Sequence, residues 1–381
     1  MKRLLAPTFL GHELYGQPGY GPNHPLGIPR VGLGWLAPDE FQVSPRATED
    51  ELAWFHTPDY IRTIRDASAR GRVEIAERER YAIGTMENPL FPGLYERAAT
   101  SVGGSLHAAR CALAGRIAYH PAGGTHHGRP DRASGFCYFN DPVFAMLGCL
   151  QGGAQRVLYV DLDAHHGDGV QAAFENDPRV RMISIHEAGR WPHTGAITDN
   201  AAGRACNLPV PKGFHDGELR PLIDELVLPL AHRWQPAAVV LTCGADALAG
   251  DPLSSMNLSN TALWSVATRL ADCAPAAVVL GGGGYNPWTL TRYWTGLWAM
   301  LSGRTIPAML PAAAQGILRA LCCDLIDDEE VQSQWLTTLA DAPTDGAVRD
   351  DTIRLLAAMR PLLVGEVWRS HECKQVRTVH Q

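Results

Sequence analysis

Lysine is almost absent from this sequence. Lys2, Lys212 and Lys374 stand against thirty arginines, a bias to which the sequence attaches no function. Charge is sparse as well, at 19% of residues with a net of −7, so general attraction to nucleic acid or to an anionic membrane surface is excluded. No stretch approaches the roughly 20 apolar residues of a membrane span. Lys2 and Arg3 open the chain, but Pro7, His12 and Glu13 break the apolar run behind them, so no secretory signal is expected. The nine cysteines include no C-x-x-C pair, and their number is odd. That pattern argues against a disulfide framework and for a reducing, cytoplasmic setting. No internal repeat or low-complexity block stands out.

What is present is apolar mass. At 46% hydrophobic over 381 residues, the chain fills a sizeable core, as one large domain or two smaller ones. Short β-branched runs are predicted as buried parallel strands at 117–119, 156–160, 180–185, 237–242 and 276–280. Helical patterns lie at 99–114, 141–151, 168–175, 216–233, 260–272 and 287–301. Alternation of the two predicts an α/β fold with a mostly parallel sheet flanked by helices. Residues 305–381 read as further helices packed on the same domain. Each predicted strand runs into a loop rich in Gly, Asp or His, and ligand sites in such sheets lie at the carboxyl ends of strands.

The densest loop is Asp161-Leu162-Asp163-Ala164-His165-His166-Gly167-Asp168-Gly169. If the chain stays extended, Asp161, Asp163 and His165 share one side while Leu162 and Ala164 face the other. Two carboxylates and an imidazole at a strand end suggest a divalent metal site. Asp168 by itself reads equally well as the cap of the next helix. Asp246, taken alone, is a turn aspartate; its place at another strand end makes it a third ligand beside Asp163 and His165. Two carboxylates formally neutralise a divalent ion, so bound water is acidified less and a separate base is needed. The tandem His126-His127 supplies one, with Asp161 and Asp168 left to orient the imidazoles. Tyr285 follows four glycines, which a tight turn explains; the tyrosine itself is placed to donate to an oxyanion.

Together these segments resemble the histone deacetylase superfamily, and most closely its bacterial deacetylase-like and acetoin-utilisation-type members. The likeness runs through Asn23 to Arg30, Glu87-Asn88-Pro89, Pro121 to His127 and Ser134 to Asn140. It continues through Asp161 to Gly169, Gly244-Ala245-Asp246, Asn257 to Asn260 and Gly281 to Tyr285. The resemblance implies an arginase/deacetylase fold in one domain, with a catalytic core over about 1–304. It implies a zinc-dependent hydrolase of acyl-lysine, acetyl-lysine foremost, with one zinc on Asp163, His165 and Asp246. His127 would be the general base, His126 an electrostatic partner, Asp161 and Asp168 their respective carboxylates, and Tyr285 the oxyanion donor. Phe136 and Trp191 would wall a narrow tunnel, although Trp191 also fits ordinary core packing. Gly135 would offer its carbonyl to the substrate amide, and Glu87 would hold the substrate backbone or be an inert surface acid. Potassium would lie on Asp161, Asp163, His165, Ser184 and Ile185, with an outer ion near Phe174, Asp177, Val180 and Arg204. Gly128 and His193 depart from the common Ala and Gly of the family, the second at the tunnel rim.

Three competitors are distinguishable. A dinuclear arginase-type site wants a D-x-D at the later strand end, where Leu248 stands beside Asp246. An acetylpolyamine deacetylase wants an acidic gatekeeper after Gly250-Asp251-Pro252, where Leu253 is neutral. That favours acyl-lysine in a protein or peptide as substrate, with acetylpolyamine or another small acylated amine as the alternative. A non-catalytic acyl-lysine binding module is the remote alternative, disfavoured because every ligand, both histidines and the tyrosine are present.

Overall fold

Residues 5–17, 19, 20, 24, 25 and 41–369 are described by the computed structural model of the chain. Of the Asn23–Arg30 segment, only His24 and Pro25 fall within them. Eight strands form one sheet: β1 (Thr8–Gly11), β2 (Phe41–Val43), β3 (Ile117–His120), β4 (Val157–Asp161), β5 (Val180–Glu187), β6 (Ala205–Val210), β7 (Ala238–Thr242) and β8 (Ala276–Leu280). Their order is β2-β1-β3-β8-β7-β4-β5-β6, and every pairing is parallel.

The five strands expected from the sequence are all there, within two residues at each end. β1, β2 and β6 were not anticipated. β1 and β2 are only four and three residues long, and β2 lies largely exposed at the sheet edge. β6 carries Pro209, which cannot donate to a ladder and is tolerated because β6 is the opposite edge. Side chains alternate between two cores. Leu158 and Val160 of β4, Val239 and Leu241 of β7 and Ala277 and Val279 of β8 enter one cluster with Trp234 and Trp264. Val157, Tyr159, Val240 and Val278 enter the other with Met146 and Ala109. Burial on both faces is why these strands read as continuous apolar runs.

Helices cover both faces. Leu94–Leu113, Asp141–Gln151, Asn260–Ala271 and Pro287–Leu301 are the main ones near the site. The last three begin where expected because Asn140, Ser259 and Asn286 accept backbone N–H groups of the first turn. The first begins five residues earlier than its periodicity suggests. The run predicted at 216–233 is helical to Trp234 but passes through a π-helical turn at Ile223–Val227. That turn lies between Pro221 and Pro229, whose missing N–H groups interrupt the regular ladder.

The C-terminal segment is less helical than expected. Three short helices, Ala312–Arg319, Ser333–Thr337 and Asp350–Met359, are joined by irregular chain. Trp335, Leu355 and Trp368 nevertheless join the cluster that lines the sheet. Trp368 is fully buried, and its indole N–H donates to the Gly203 carbonyl at 2.8 Å.

The order of strands matters for the site. From β4 the chain moves outward to β5 and β6, whereas from β7 it moves to β8 in the opposite direction. β4 and β7 are neighbours, with Asp161 in register with Thr242, so a topological switch point opens between their carboxyl ends. Trp368→Ala should destabilise the fold by about 3–5 kcal/mol, the range for truncating a buried aromatic. Chemical denaturation measures this, and a loss under about 1 kcal/mol would show that the C-terminal segment does not support the core.

Candidate metal centre and its pocket

The switch point is filled by Asp163 and His165 from the loop after β4 and Asp246 from the loop after β7. One ligand-type atom from each lies within 4.8 Å of the other two. The extended path predicted for 161–165 ends at Asp161, and the chain then bends. Leu162 and Ala164 still face the core, while the Asp161 carboxylate accepts the Asp163 N–H at 3.1 Å and the Asp163 carboxylate accepts the His165 N–H at 3.0 Å. Asp161 therefore leaves the metal group and turns to His126.

His165 Nδ1 sits 3.2 Å from Asp163 Oδ1 and 3.0 Å from Asp246 Oδ2. Burial disfavours charge on this ring, yet the two carboxylates hold its pKa up to about 10. Burial likewise opposes charge on Asp163, but His126 and His165 hold that carboxyl well below its ordinary range. Burial and the Asp163 charge push Asp246 up to about 6. Two glycines make room. A Cβ on Gly244 would stand 2.2 Å from Asp163 Oδ2, and one on Gly283 would stand 2.1 Å from Asp246 Oδ2. The Gly283 N–H donates to Asp163 Oδ2 at 2.7 Å and the Ala164 N–H to Asp246 Oδ1 at 2.9 Å, which fixes both carboxylates. Two oxygen donors and one imidazole nitrogen, buried and pre-set, fit a divalent cation of borderline softness.

Beside this group stand two imidazole–carboxylate pairs. His126 Nδ1 meets Asp161 Oδ2 at 2.7 Å, and His127 Nδ1 meets Asp168 Oδ1 at 2.8 Å. Asp168 therefore serves His127, although it opens the helix Asp168–Phe174. The two rings lie 3.9 Å apart, yet their environments split them. Burial would depress His126, but Asp161 and Asp163 hold it up to about 9. Burial and the neighbouring His126 charge push His127 down to about 3, against the pull of Asp168. One imidazole is set to hold a proton and the other to stay neutral with a free lone pair.

The mouth above the group is a cavity of about 520 Å³ lined by Glu87, Phe136, Trp191 and Leu253. Below lies a largely apolar cavity of about 620 Å³ lined by Phe9, Tyr119, Trp294 and Trp298. His127, Gly135, Phe136, His165 and Tyr285 border both and form the neck. Trp191 is 37% exposed and packs edge-on against His127 at 4.6 Å, so it is wall and not core. Phe136 meets Tyr285 at 6.0 Å, and the exposed Glu87 accepts the Gly135 N–H at 2.7 Å. A Cβ on Gly135 would strike Trp191 at 2.3 Å, so the wall requires glycine there. His193 sits at the rim with φ of +64°, in the left-handed region that glycine adopts more readily.

Of the inner potassium candidates, Asp161 ends β4 and lies in register with Ser184, which sits within β5 beside Ile185. Phe174, Asp177 and Val180 share one turn, which Arg204 reaches through its Nε bond to the Glu175 carbonyl at 2.9 Å.

Several supporting groups were not singled out from the sequence. Tyr159 donates to Asp161 at 2.7 Å, and Arg129 donates to Asp168. The buried Asp141 carboxylate accepts the N–H groups of Gly124 at 2.9 Å and Thr125 at 2.8 Å, which aims the histidine loop. Asp251 accepts the Tyr285 N–H at 2.7 Å and the Leu253 N–H at 2.9 Å. The Gly-Asp-Pro turn around Asp251 was the available signal for the last.

The histone deacetylase domain profile matches residues 34–301. The chain is 36% identical over 278 residues to histone deacetylase 8 of Xenopus tropicalis, covering 71% of this chain and 75% of that one. It is 37% identical over 278 residues to the acetoin utilization protein AcuC of Bacillus subtilis, covering 68% and 71%. The crystal structure of an HDAC homolog from Aquifex aeolicus superposes with a TM-score of 0.88 at 35% identity, covering 93% of this chain and all of that one. A crystal structure of an HDAC homolog complexed with SAHA superposes at 0.86, also at 35% identity, with the same coverage. Among the described residues, no helix is long and apolar enough to cross a membrane.

Cation binding must displace the His165 proton. Its pKa is raised, so the competing proton is present below about 10 and the apparent affinity should rise about tenfold per pH unit from 7 to 9. Below about 6, protonation of Asp246 should steepen the slope. Competition against a chelator with zinc as the probe ion measures this; affinity independent of pH would contradict the protonated triad.

Proposed function

The chain belongs to the histone deacetylase family, and from that premise we propose that it is a zinc-dependent deacylase acting on acyl-lysine, acetyl-lysine foremost. The observation that carries this reading is the juxtaposition of Asp163, His165 and Asp246 with two oppositely tuned histidines at the neck of an aromatic-walled tunnel. We read residues 1–381 as one deacetylase domain.

Asp163, His165 and Asp246 would hold the zinc, which when bound supplies a Lewis acid for the acyl carbonyl and the attacking water. The remaining chemistry belongs to side chains. Asp168 occupies His127 Nδ1 and leaves Nε2 for the substrate side. His127 is kept neutral by burial and by its charged neighbour, so it takes the proton from water as the carbonyl is attacked. The same nitrogen returns that proton to the amine as the C–N bond breaks. His126, held charged by Asp161, contributes positive potential close to the developing anion. Tyr285, whose backbone is anchored by Asp251, donates its hydroxyl to the oxyanion.

Phe136 and Trp191 grip the methylene stem of lysine, the Gly135 carbonyl receives the amide N–H, and Glu87 lies at the rim for the substrate backbone. That a superposing HDAC homolog is complexed with SAHA supports a ligand-binding role for this fold. Leu253 gives no counter-charge, which favours a neutral stem over a polyamine. Potassium ions near Ser184 and near Asp177 belong to the same proposal as structural ions.

His127→Ala and Tyr285→Phe should each retain zinc and lower kcat on an acetyl-lysine peptide by about 10²–10⁴-fold. Full activity of Tyr285→Phe would remove the oxyanion role. His126→Ala takes away a positive neighbour that depresses His127, so the pKa of His127 should rise. The acidic limb of kcat/KM then moves to higher pH; a limb that stays in place or moves to lower pH would contradict the division of labour.

A further inference from the structure

The two sides of the tunnel mouth come from separate loops, one after β5 carrying Trp191 and one after β7 carrying Leu253. They are fastened by an ion pair whose carboxylate is buried and whose guanidinium is part-exposed. Glu187, the last residue of β5, has a side chain only 1% exposed. Its carboxylate receives Arg190 in two-pronged fashion, Nε to Oε2 at 2.7 Å and Nη2 to Oε1 at 2.9 Å. The same guanidinium reaches across the mouth. Nη1 donates to the Leu253 carbonyl at 2.6 Å and Nη2 to Ser255 Oγ at 3.1 Å. The Ser255 N–H in turn donates to Glu187 Oε2 at 2.7 Å. Both carboxylate oxygens and all three guanidinium nitrogens are thereby engaged, which offsets the cost of burying the carboxylate. Only a planar fork serves both loops at once; an ammonium offers a single point.

Resting on the acyl-lysine reading above, we propose that Arg190 is a positioning residue that sets the width of the tunnel mouth by tying the Trp191 wall to the Leu253 wall. Arg190 directly precedes Trp191, and its carbonyl accepts the His193 N–H at 2.8 Å, so the guanidinium holds the base of the turn that presents the indole. Trp191 then lies against His127 at 4.6 Å. With the fork gone, the indole keeps its neighbours on the His127 side but loses its fixed distance to Leu253. The lysine stem is gripped in the ground state and the transition state alike, so the loss falls on binding and not on the chemical step.

Steady-state kinetics on an acetyl-lysine peptide with the zinc-loaded enzyme tests this. Arg190→Gln and Trp191→Ala should each raise KM about tenfold and leave kcat within about threefold. The double variant should be no worse than Trp191→Ala, because Arg190 acts through that residue. Arg190→Lys keeps the charge beside Glu187, and with it the fold, but cannot span both partners; it should raise KM in the same direction if Arg190→Gln does not fold. Additive effects, on the order of a hundredfold in the double variant, would overturn the role. So would a lowered melting temperature with KM unchanged in Arg190→Lys. An inactive parent enzyme overturns the acyl-lysine reading and this role with it, whereas an active parent with additive variants overturns this role alone.

Discussion

Buried negative charge is the constraint on which this structure turns. Asp161, Asp163, Asp168 and Asp246 are all at most 6% exposed and converge at the carboxyl ends of adjacent parallel strands. Each such charge costs several kcal/mol to bury unless a partner compensates it. Asp161 has His126 and Tyr159, and Asp168 has His127 and Arg129. Asp163 and Asp246 share the His165 ring, and Asp163 also lies 3.8 Å from His126. That last trio is short of positive charge, a deficit that a divalent cation would make up. The glycines at 244 and 283 extend the same logic, since any side chain there would displace the carboxylates from one another.

The same crowding tunes the two histidines apart. They are sequence neighbours with rings 3.9 Å apart and matching carboxylate partners, and yet one is held near 9 and the other near 3. The asymmetry arises because His126 also faces Asp163, at 3.8 Å from Nε2, whereas His127 faces the charge of His126. A site that needs one proton held and one proton taken obtains both from placement.

Much of this was legible in the sequence because both-face burial turns strands into apolar runs, and such runs end where polar side chains must be. Asp163, His165 and Asp246 follow directly from that rule, and the structure gathers them. The edge strands were hidden because β2 is exposed and β6 contains a proline. Asp141 and Asp251 were hidden for another reason. Each acts on backbone N–H groups that are remote in sequence, Gly124 from Asp141 and Tyr285 from Asp251, and local patterning carries no trace of such pairing. The fork of Arg190 across two loops belongs to the same class, visible only once β5 and β7 are set two strands apart.

The central claim is that this compensating cation makes the chain a deacylase. Amine release from an acetyl-lysine peptide, measured on metal-stripped protein titrated with zinc, tests it most directly. The account predicts no turnover in the stripped protein and activity that rises in proportion to bound zinc up to about one ion per chain. Equal activity before and after stripping would contradict it. Zinc bound at one per chain with no amine released would leave the cation site standing and contradict the acetyl-lysine assignment.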